Sequence, residues 1–439
     1  MNPSDSDTPS LARRTLATGA WLLAALAAST PLHSAAQQAQ ADPAAIDALT
    51  KRIDQMESEI KALKGELSAA QSQAQETAAA SSAVAEPTYP SINFHGFGDV
   101  NYEYTSDNKN FPNRFWLGEL DFYVSAQIAA NTSIVSENVL GADQATNNWT
   151  LEAERIFIDY RVNSYLNLIA GRMHTEIGYY NTAFHHGTWF ETDTHRPWFL
   201  EFEDSGGILP VHLVGVSADG AVPSGSANIH YWVQIGNGRS YDPAQSAQNP
   251  TQADHVDNGR KAVNIALTAK PTWAPGFQLG AGFYHQVVSP QAVVPGEGIE
   301  GLATVPTLNP LASASETISN VSLIYTGKDG WNFLNEAFVI GHKPTGDVTH
   351  HTVAAYSELS KKTGDWTPYA RFTYVNSPAS DPVYNLIQTT GLRYGPTFGL
   401  RYDFTDYACV KLQYDLTYES HEQETAPTDD VTFQVGFTF

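Results

Sequence analysis

The last nine residues constrain this chain more than any other stretch. In Val431-Thr432-Phe433-Gln434-Val435-Gly436-Phe437-Thr438-Phe439 the odd positions carry Val or Phe and the even positions carry Thr, Gln or Gly. A period of two describes a strand with one apolar and one polar face. In water, an aromatic strand with nothing after it to cover that face is an exposed, aggregation-prone edge. In a closed membrane barrel the same strand is content, with its apolar side to lipid and its polar side to the lumen.

The rest of the chain repeats the pattern. Ile92, Phe94, Val100, Tyr102 and Tyr104 alternate with Asn93, His95, Asp99, Asn101 and Glu103. Trp116, Leu120, Phe122, Val124, Ala126 and Ile128 alternate with Glu119, Asp121, Ser125 and Gln127. Leu400, Tyr402 and Phe404 alternate with Arg401 and Asp403, and a further run extends from Ala408 to Tyr418. Each run is about ten residues, the length a tilted strand needs to cross a bilayer. Short turns (130–132, 162–164, 327–330, 361–365, 405–406) alternate with longer connections (105–113, 141–148, 174–209, 237–260, 289–316, 343–349, 377–387, 420–429). Eight long loops imply about 16 antiparallel strands with both ends on the short-turn side, and a barrel of that size encloses an aqueous channel. The 21 Tyr, 20 Phe, 9 Trp and 32 Gly suit strands, girdles and tight turns.

The N-terminal quarter reads differently. Arg13-Arg14, an apolar stretch from Leu16 to Ala28 and small residues around Ser34-Ala35-Ala36 make residues 1–36 a secretory signal, with cleavage as late as residue 41. Residues 42–70 form heptads: Ile46, Ile53, Ile60 and Leu67 at one core position, Leu49, Met56 and Leu63 at the other. Arg52 would meet Glu57, and Glu59 would meet Lys64, of a parallel neighbour. Such a coiled coil is about 33 Å long. An isolated amphipathic helix lying on the barrel fits the same residues, and Ile with Leu or Met in the core leans toward dimers. Residues 71–90 are an Ala/Ser/Gln-rich linker ending at Pro87 and Pro90, and residues 91–439 are the transmembrane barrel. The expected fold is therefore an all-β transmembrane barrel preceded by a short α-helical coiled coil.

Charge narrows the partners. The chain holds 24 basic and 47 acidic residues; the first 86 positions take 6 and 10 of them, leaving 18 and 37 for the barrel. That balance argues against nucleic acid and against anions as cargo. Cys409 is the single cysteine, so the chain has no intramolecular disulfide and no cysteine cluster for metal.

Signal, coiled coil and a barrel closing on a terminal Phe resemble Gram-negative outer-membrane porins whose N-terminal segment projects into the periplasm, substrate-specific and phosphate-selective porins among them. Leu168-Ile169-Ala170-Gly171-Arg172-Met173-His174-Thr175-Glu176-Ile177-Gly178 resembles the porin strand that carries an A-G-R core into the third loop. The resemblance implies an outer-membrane location, a homotrimer and delivery by the barrel-assembly machinery, which reads the signal at Phe437 and Phe439. It also implies a third loop folded into the lumen. Phosphate selectivity is not carried over, because the barrel is acidic where those porins are basic.

The third long loop is rich in aromatics, and its Glu176, Glu191, Asp193, Glu201, Glu203 and Asp204 would form an acidic pore constriction. Strand parity places Arg371, Arg393, Arg401 and Lys411 on the polar face of the last strands, a basic ladder on the opposite pore wall. Ordinary salt bridging between neighbouring strands accounts for the same residues. His174, His185, His186, His195, His212 and the His350-His351 pair lack metal-ligand spacing, so no metal or other cofactor is expected. Gly215-Val216-Ser217-Ala218-Asp219 misses the nucleophile-elbow pattern at its last position, and the chain reads as no enzyme. Two functions remain: a channel for passive diffusion of small hydrophilic solutes or ions, or a structural, adhesive barrel without an open channel. If the heptads associate below the barrel, Ile53→Asn with Ile60→Asn should lower the heat resistance of cross-linked oligomers without abolishing them.

Overall fold

The structure, a computed structural model, describes residues 51–52, 89–106, 113–143, 146–184, 188–202, 206–241, 260–290, 313–384, 390–420 and 427–439. The signal and the heptad core residues Ile46 to Leu67 lie outside the described residues. Residues 86–439 form one compact unit.

That unit is a closed antiparallel barrel, in which every strand finds both neighbours for its backbone hydrogen bonds. Its staves are β1 (Ser91–Thr105), β2 (Arg114–Ala129), β3 (Thr132–Ala142), β4 (Trp149–Asn163), β5 (Leu166–His174), β6 (His212–Val222) and β7 (Ile229–Asn237). A two-residue stub, β8 (Ser240–Tyr241), pairs in parallel with the end of β10 (Phe277–Pro290). The circuit passes from β7 to β9 (Lys261–Ala269) and β10, then through β11 (Ala314–Thr326), β12 (Trp331–Pro344), β13 (His350–Lys361), β14 (Trp366–Ser377), β15 (Gly391–Thr405), β16 (Ala408–Ser420) and β17 (Thr428–Thr438). Leaving out the stub, sixteen strands close the circle through β1 and β17. Long and short connections alternate around it as the sequence patterning predicts, with two further short turns at 223–228 and 270–276.

The usual inside-out burial of a soluble protein is reversed. On β17 Phe433 is 42% exposed on the outer face, while Thr432 beside it is fully buried on the inner face. One alternation differs from the sequence reading. Trp116 does not face outward with Leu120 and Phe122, because the pairing of β1 with β2 shifts between Gly98 and Val100. The one extra residue on β2 turns Phe115 outward, 72% exposed, and puts Trp116 on the lumen wall.

The seam explains the terminal aromatics. Gly96 and Phe439 exchange two backbone hydrogen bonds of 3.0 Å. On the outer face the Phe439 ring lies over Gly96, where an added Cβ would sit only 2.2 Å from the ring. The last strand thus fills space its partner leaves empty. Phe439→Ala removes that cover, so the heat-modifiable, membrane-inserted form should fall several-fold while unassembled protein accumulates in the periplasm. Normal levels of assembled barrel would contradict this.

Candidate functional site

The strand that leads into the third loop contains one conformationally constrained residue. Gly171 in the A-G-R core holds φ at +141°, and a Cβ there would meet the Ile156 carbonyl at 2.2 Å. No L side chain fits that backbone without strain. The chain then leaves β5 at His174 and returns at β6, and the described residues of this connection, 175–184, 188–202 and 206–211, enter the lumen.

One sector of the inner wall offers them an apolar surface. Inward positions of β10 to β14 carry Tyr284, Val288, Ile318, Phe338, Ile340, Ala354, Tyr356 and Val375, and Ile177, Tyr180, Phe199, Leu200, Ile208 and Leu209 of the loop pack against them. Burying each such large side chain favours the docked state by about 1.5–3 kcal/mol. Phe199 meets Phe338 edge-on at 5.4 Å, and Tyr180 meets Tyr356 at 5.7 Å.

Polar groups fix the loop's register. Glu336 on β12 accepts from the Tyr180 amide at 2.8 Å and from the Tyr179 amide, capping the short helix α1 (Tyr180–Ala183), and it also accepts from the Tyr356 hydroxyl at 3.0 Å. Gln413 accepts from the Thr194 amide at 2.9 Å. At the long-loop end, Arg239 donates to the Ile208 carbonyl at 3.3 Å and pairs with Glu316. His342 joins that cluster, 3.0 Å from Glu316 and 2.8 Å from Asp381.

The basic residues placed by parity are at the loop, but three of the four work differently from a free basic ladder. Arg371 pairs with Asp193 and donates to the His195 carbonyl at 2.8 Å. Arg401 donates to the carbonyls of Trp189 at 2.6 Å and Glu191 at 2.8 Å, with Trp189 under its guanidinium. Lys411 donates to the carbonyls of Thr188 and Asp193, the latter at 2.7 Å. A loop inside a barrel has carbonyls to satisfy, and these cations satisfy them. Arg393 differs: it stacks 4.5 Å over Trp198 and pairs with Glu419 at 2.8 Å.

The acidic residues of the loop separate. Glu191 and Glu201 line a cavity, Asp193 is spent on Arg371, and the Glu176 amide is held by Gln234 at 2.8 Å on the far side of the lumen. Glu203 and Asp204 lie outside the described residues, as do His185 and His186. Burial pushes Glu176 up to about 8. Burial also raises Glu201, to about 7 against the pull of Arg196, and raises Glu191, with Asp193 adding to the effect. Among the described residues no cluster of three or more metal-ligating side chains converges.

The cavity holds about 1040 Å³. Loop residues Thr188 to Ile208 bound one side, and β1 to β4 and β14 to β17 supply the other. Nine of its lining side chains are carboxylates (Asp99, Glu103, Glu119, Asp143, Glu191, Glu201, Asp415, Glu419, Asp430) and three are arginines (Arg196, Arg371, Arg393). Sequence reasoning assigned only Glu191 and Glu201 among those acids to the pore. Asp143 lies in a long connection, and the others were legible as inward-parity carboxylates on alternating strands, but their convergence depends on barrel closure.

No family model matches the sequence, and neither does any curated protein. Solved structures do match. The outer-membrane channel DcaP of Acinetobacter baumannii is 11% identical, covers 80% of this chain and 97% of its own, and aligns with a TM-score of 0.54. An anion-selective porin from Comamonas acidovorans is 10% identical over 80% of this chain and 100% of its own, at 0.54. A trimer form of OmpT, an outer membrane protein of Vibrio cholerae, is 12% identical over 80% and 100%, at 0.50. The chain has the fold of the outer-membrane porins.

Removing one partner of the buried Arg371–Asp193 pair leaves a charge without compensation, a loss of about 3–5 kcal/mol. Arg371→Ala should therefore lower the unfolding midpoint more than the double variant Arg371→Ala/Asp193→Ala does, in denaturant titrations of the assembled barrel. Additive losses would show that the pair does not hold the loop.

Proposed function

We propose that this protein is an outer-membrane porin, a homotrimer whose barrels conduct small hydrophilic solutes and ions by passive diffusion, with residues 175–211 as the constriction and a preference for cations. The observation that carries this reading is the acidic cavity between the loop and one half of the wall. Carboxylates outnumber arginines there, and Arg371 and Arg393 are each matched by a carboxylate. A low-dielectric wall of one sign concentrates counter-ions at its mouth. The cavity reaches the long-loop end of the strands, which in this reading faces the exterior, and the N-terminal helix lies in the periplasm. The loop's apolar docking supports a fixed constriction in place of a mobile lid. The aromatic and aliphatic outer face supports a lipid setting. The trimer rests on the resemblance to porins and on the trimeric OmpT structure.

In a dilute KCl gradient the reversal potential should have the cation-selective sign, and the preference should fade as salt rises above about 0.1 M, where the Debye length is about 10 Å. The raised carboxyls Glu191 and Glu201 gain negative charge as pH climbs through about 7 and beyond. Cation preference should accordingly increase between pH 6 and pH 9. Deleting Asn181–Glu191 should raise single-channel conductance in a barrel that still shows heat-modifiable assembly. Unchanged conductance in such a barrel would remove the constriction from this reading.

A further inference from the structure

The charges of the cavity do not balance evenly, and the imbalance has a location. Asp415 on β16 and Asp430 on β17 are direct partners in an antiparallel pair, and both line the cavity. Side chains so placed are about 4.5–5.5 Å apart at Cβ, where like charges oppose each other. Of the nearby arginines, Arg371 is paired with Asp193, and Arg393, whose charge also reaches Asp415 and Asp430, is paired with Glu419. Asp415 accepts from Thr397 at 2.5 Å and from Gln413 at 2.8 Å, bonds that hold its position but add no positive charge.

A second observation comes from neutral groups. Thr432, two residues inward of Asp430 on the same face, is fully buried from solvent yet lines the cavity, and its hydroxyl has no partner among the described residues. The next inward residue, Gln434, lines it too. Its Nε2 donates to Asn101 at 2.9 Å and to the Thr194 carbonyl at 3.3 Å, while its Oε1 is unmatched among the described residues. What this wall lacks is a donor carrying positive charge. An ammonium is that group: three donors, no acceptor, one charge.

The surroundings choose between an inorganic and an organic cation. Among the described residues no three metal-ligating side chains converge, which disfavours a directly coordinated metal. Trp116 reaches the cavity at the depth of Gln434, since Asn101 pairs with Trp116 on one side and Gln434 on the other. Indole faces attract cations and cover hydrocarbon, and Arg393 over Trp198 shows that contact in the same cavity. Lys411 lies opposite Gln434, so a positive head belongs on the Asp430 side of it. We infer that this vestibule recognises aliphatic amines, with the ammonium between Asp415, Asp430 and Thr432 and Trp116 as an aromatic surface deeper in the same cavity.

The inference rests on the channel reading, and putrescine tests the two separately. The full-length protein is placed in a planar bilayer in 0.1 M KCl, and putrescine or succinate is added on the long-loop side. Putrescine should produce transient current blocks and succinate should not. Losing charge-assisted hydrogen bonds of about 1.5–3 kcal/mol corresponds to roughly tenfold or more in affinity. Asp415→Asn/Asp430→Asn should therefore cut block frequency or duration by about tenfold while KCl conductance persists, and Thr432→Val should cut it less. If the double variant does not assemble, Thr432→Val alone decides. Undiminished putrescine block in the variants, or equal block by succinate, overturns the inference. A wild-type barrel that conducts KCl without putrescine block also overturns it and leaves the channel standing, whereas a barrel with no KCl conductance counts against the channel itself.

Discussion

The lumen depends on one contact: the apolar side of residues 175–211 against the apolar inner wall of β10 to β14. A sixteen-stranded barrel is too wide for its own side chains to fill. An inner wall carrying Phe338, Ile340 and Ile318 would face water unless something covered it. The loop covers it, and in doing so divides the interior into a packed half and an acidic half. Everything polar is arranged around that division. Glu336 caps the loop's short helix from the packed side, and Arg371, Arg401 and Lys411 hold its carbonyls from the other.

This changes the meaning of the basic residues. Charges on adjacent strands of a pore wall suggest a field acting on the solute. Here three of the four are consumed in fixing the loop, and Arg393 is matched by Glu419. Lys411 keeps its charge while it holds carbonyls, and that charge reaches Asp99 and Glu191 of the cavity. The sign of the field comes from the excess of carboxylates over cations in the lining.

The two ends of the lumen are built by different means. Near the seam, glycine and aromatic residues interlock on the outer face, with Phe439 over Gly96. Near the long-loop end, a buried ionic cluster does the joining, where Arg239, Glu316, His342 and Asp381 connect three loops to the wall. Buried ionic clusters of this kind add little net stability over an apolar core, but removing any one member strands the rest. They therefore specify a single arrangement of the loops.

The barrel was legible in the sequence because its determinant is local. A period of two, about ten residues long, with long and short connections in turn, fixes strand number and the face each residue takes. The acidic balance and the inward parity of Arg371, Arg393, Arg401 and Lys411 followed from the same counting. Trp116 broke the count, because the bulge opposite Asp99 changes parity, and its one mark in β2 is Gly118, where a Cβ would collide with the Asp99 carboxylate. The lining of the packed half left a signal in β12, where Leu334, Glu336, Phe338 and Ile340 are apolar or acidic on the inward face while Val339 is apolar on the outer one. A strand apolar on both faces is packed on both. Tertiary structure alone decided which acids meet. Asp430 and Asp415 face each other across one strand pair, Glu191 and Glu201 come to them from a loop more than two hundred residues away in the chain, and Asp193 is withdrawn by Arg371. Periodicity assigns a side chain to a face, but only closure and loop docking bring faces distant in sequence to the same few ångströms.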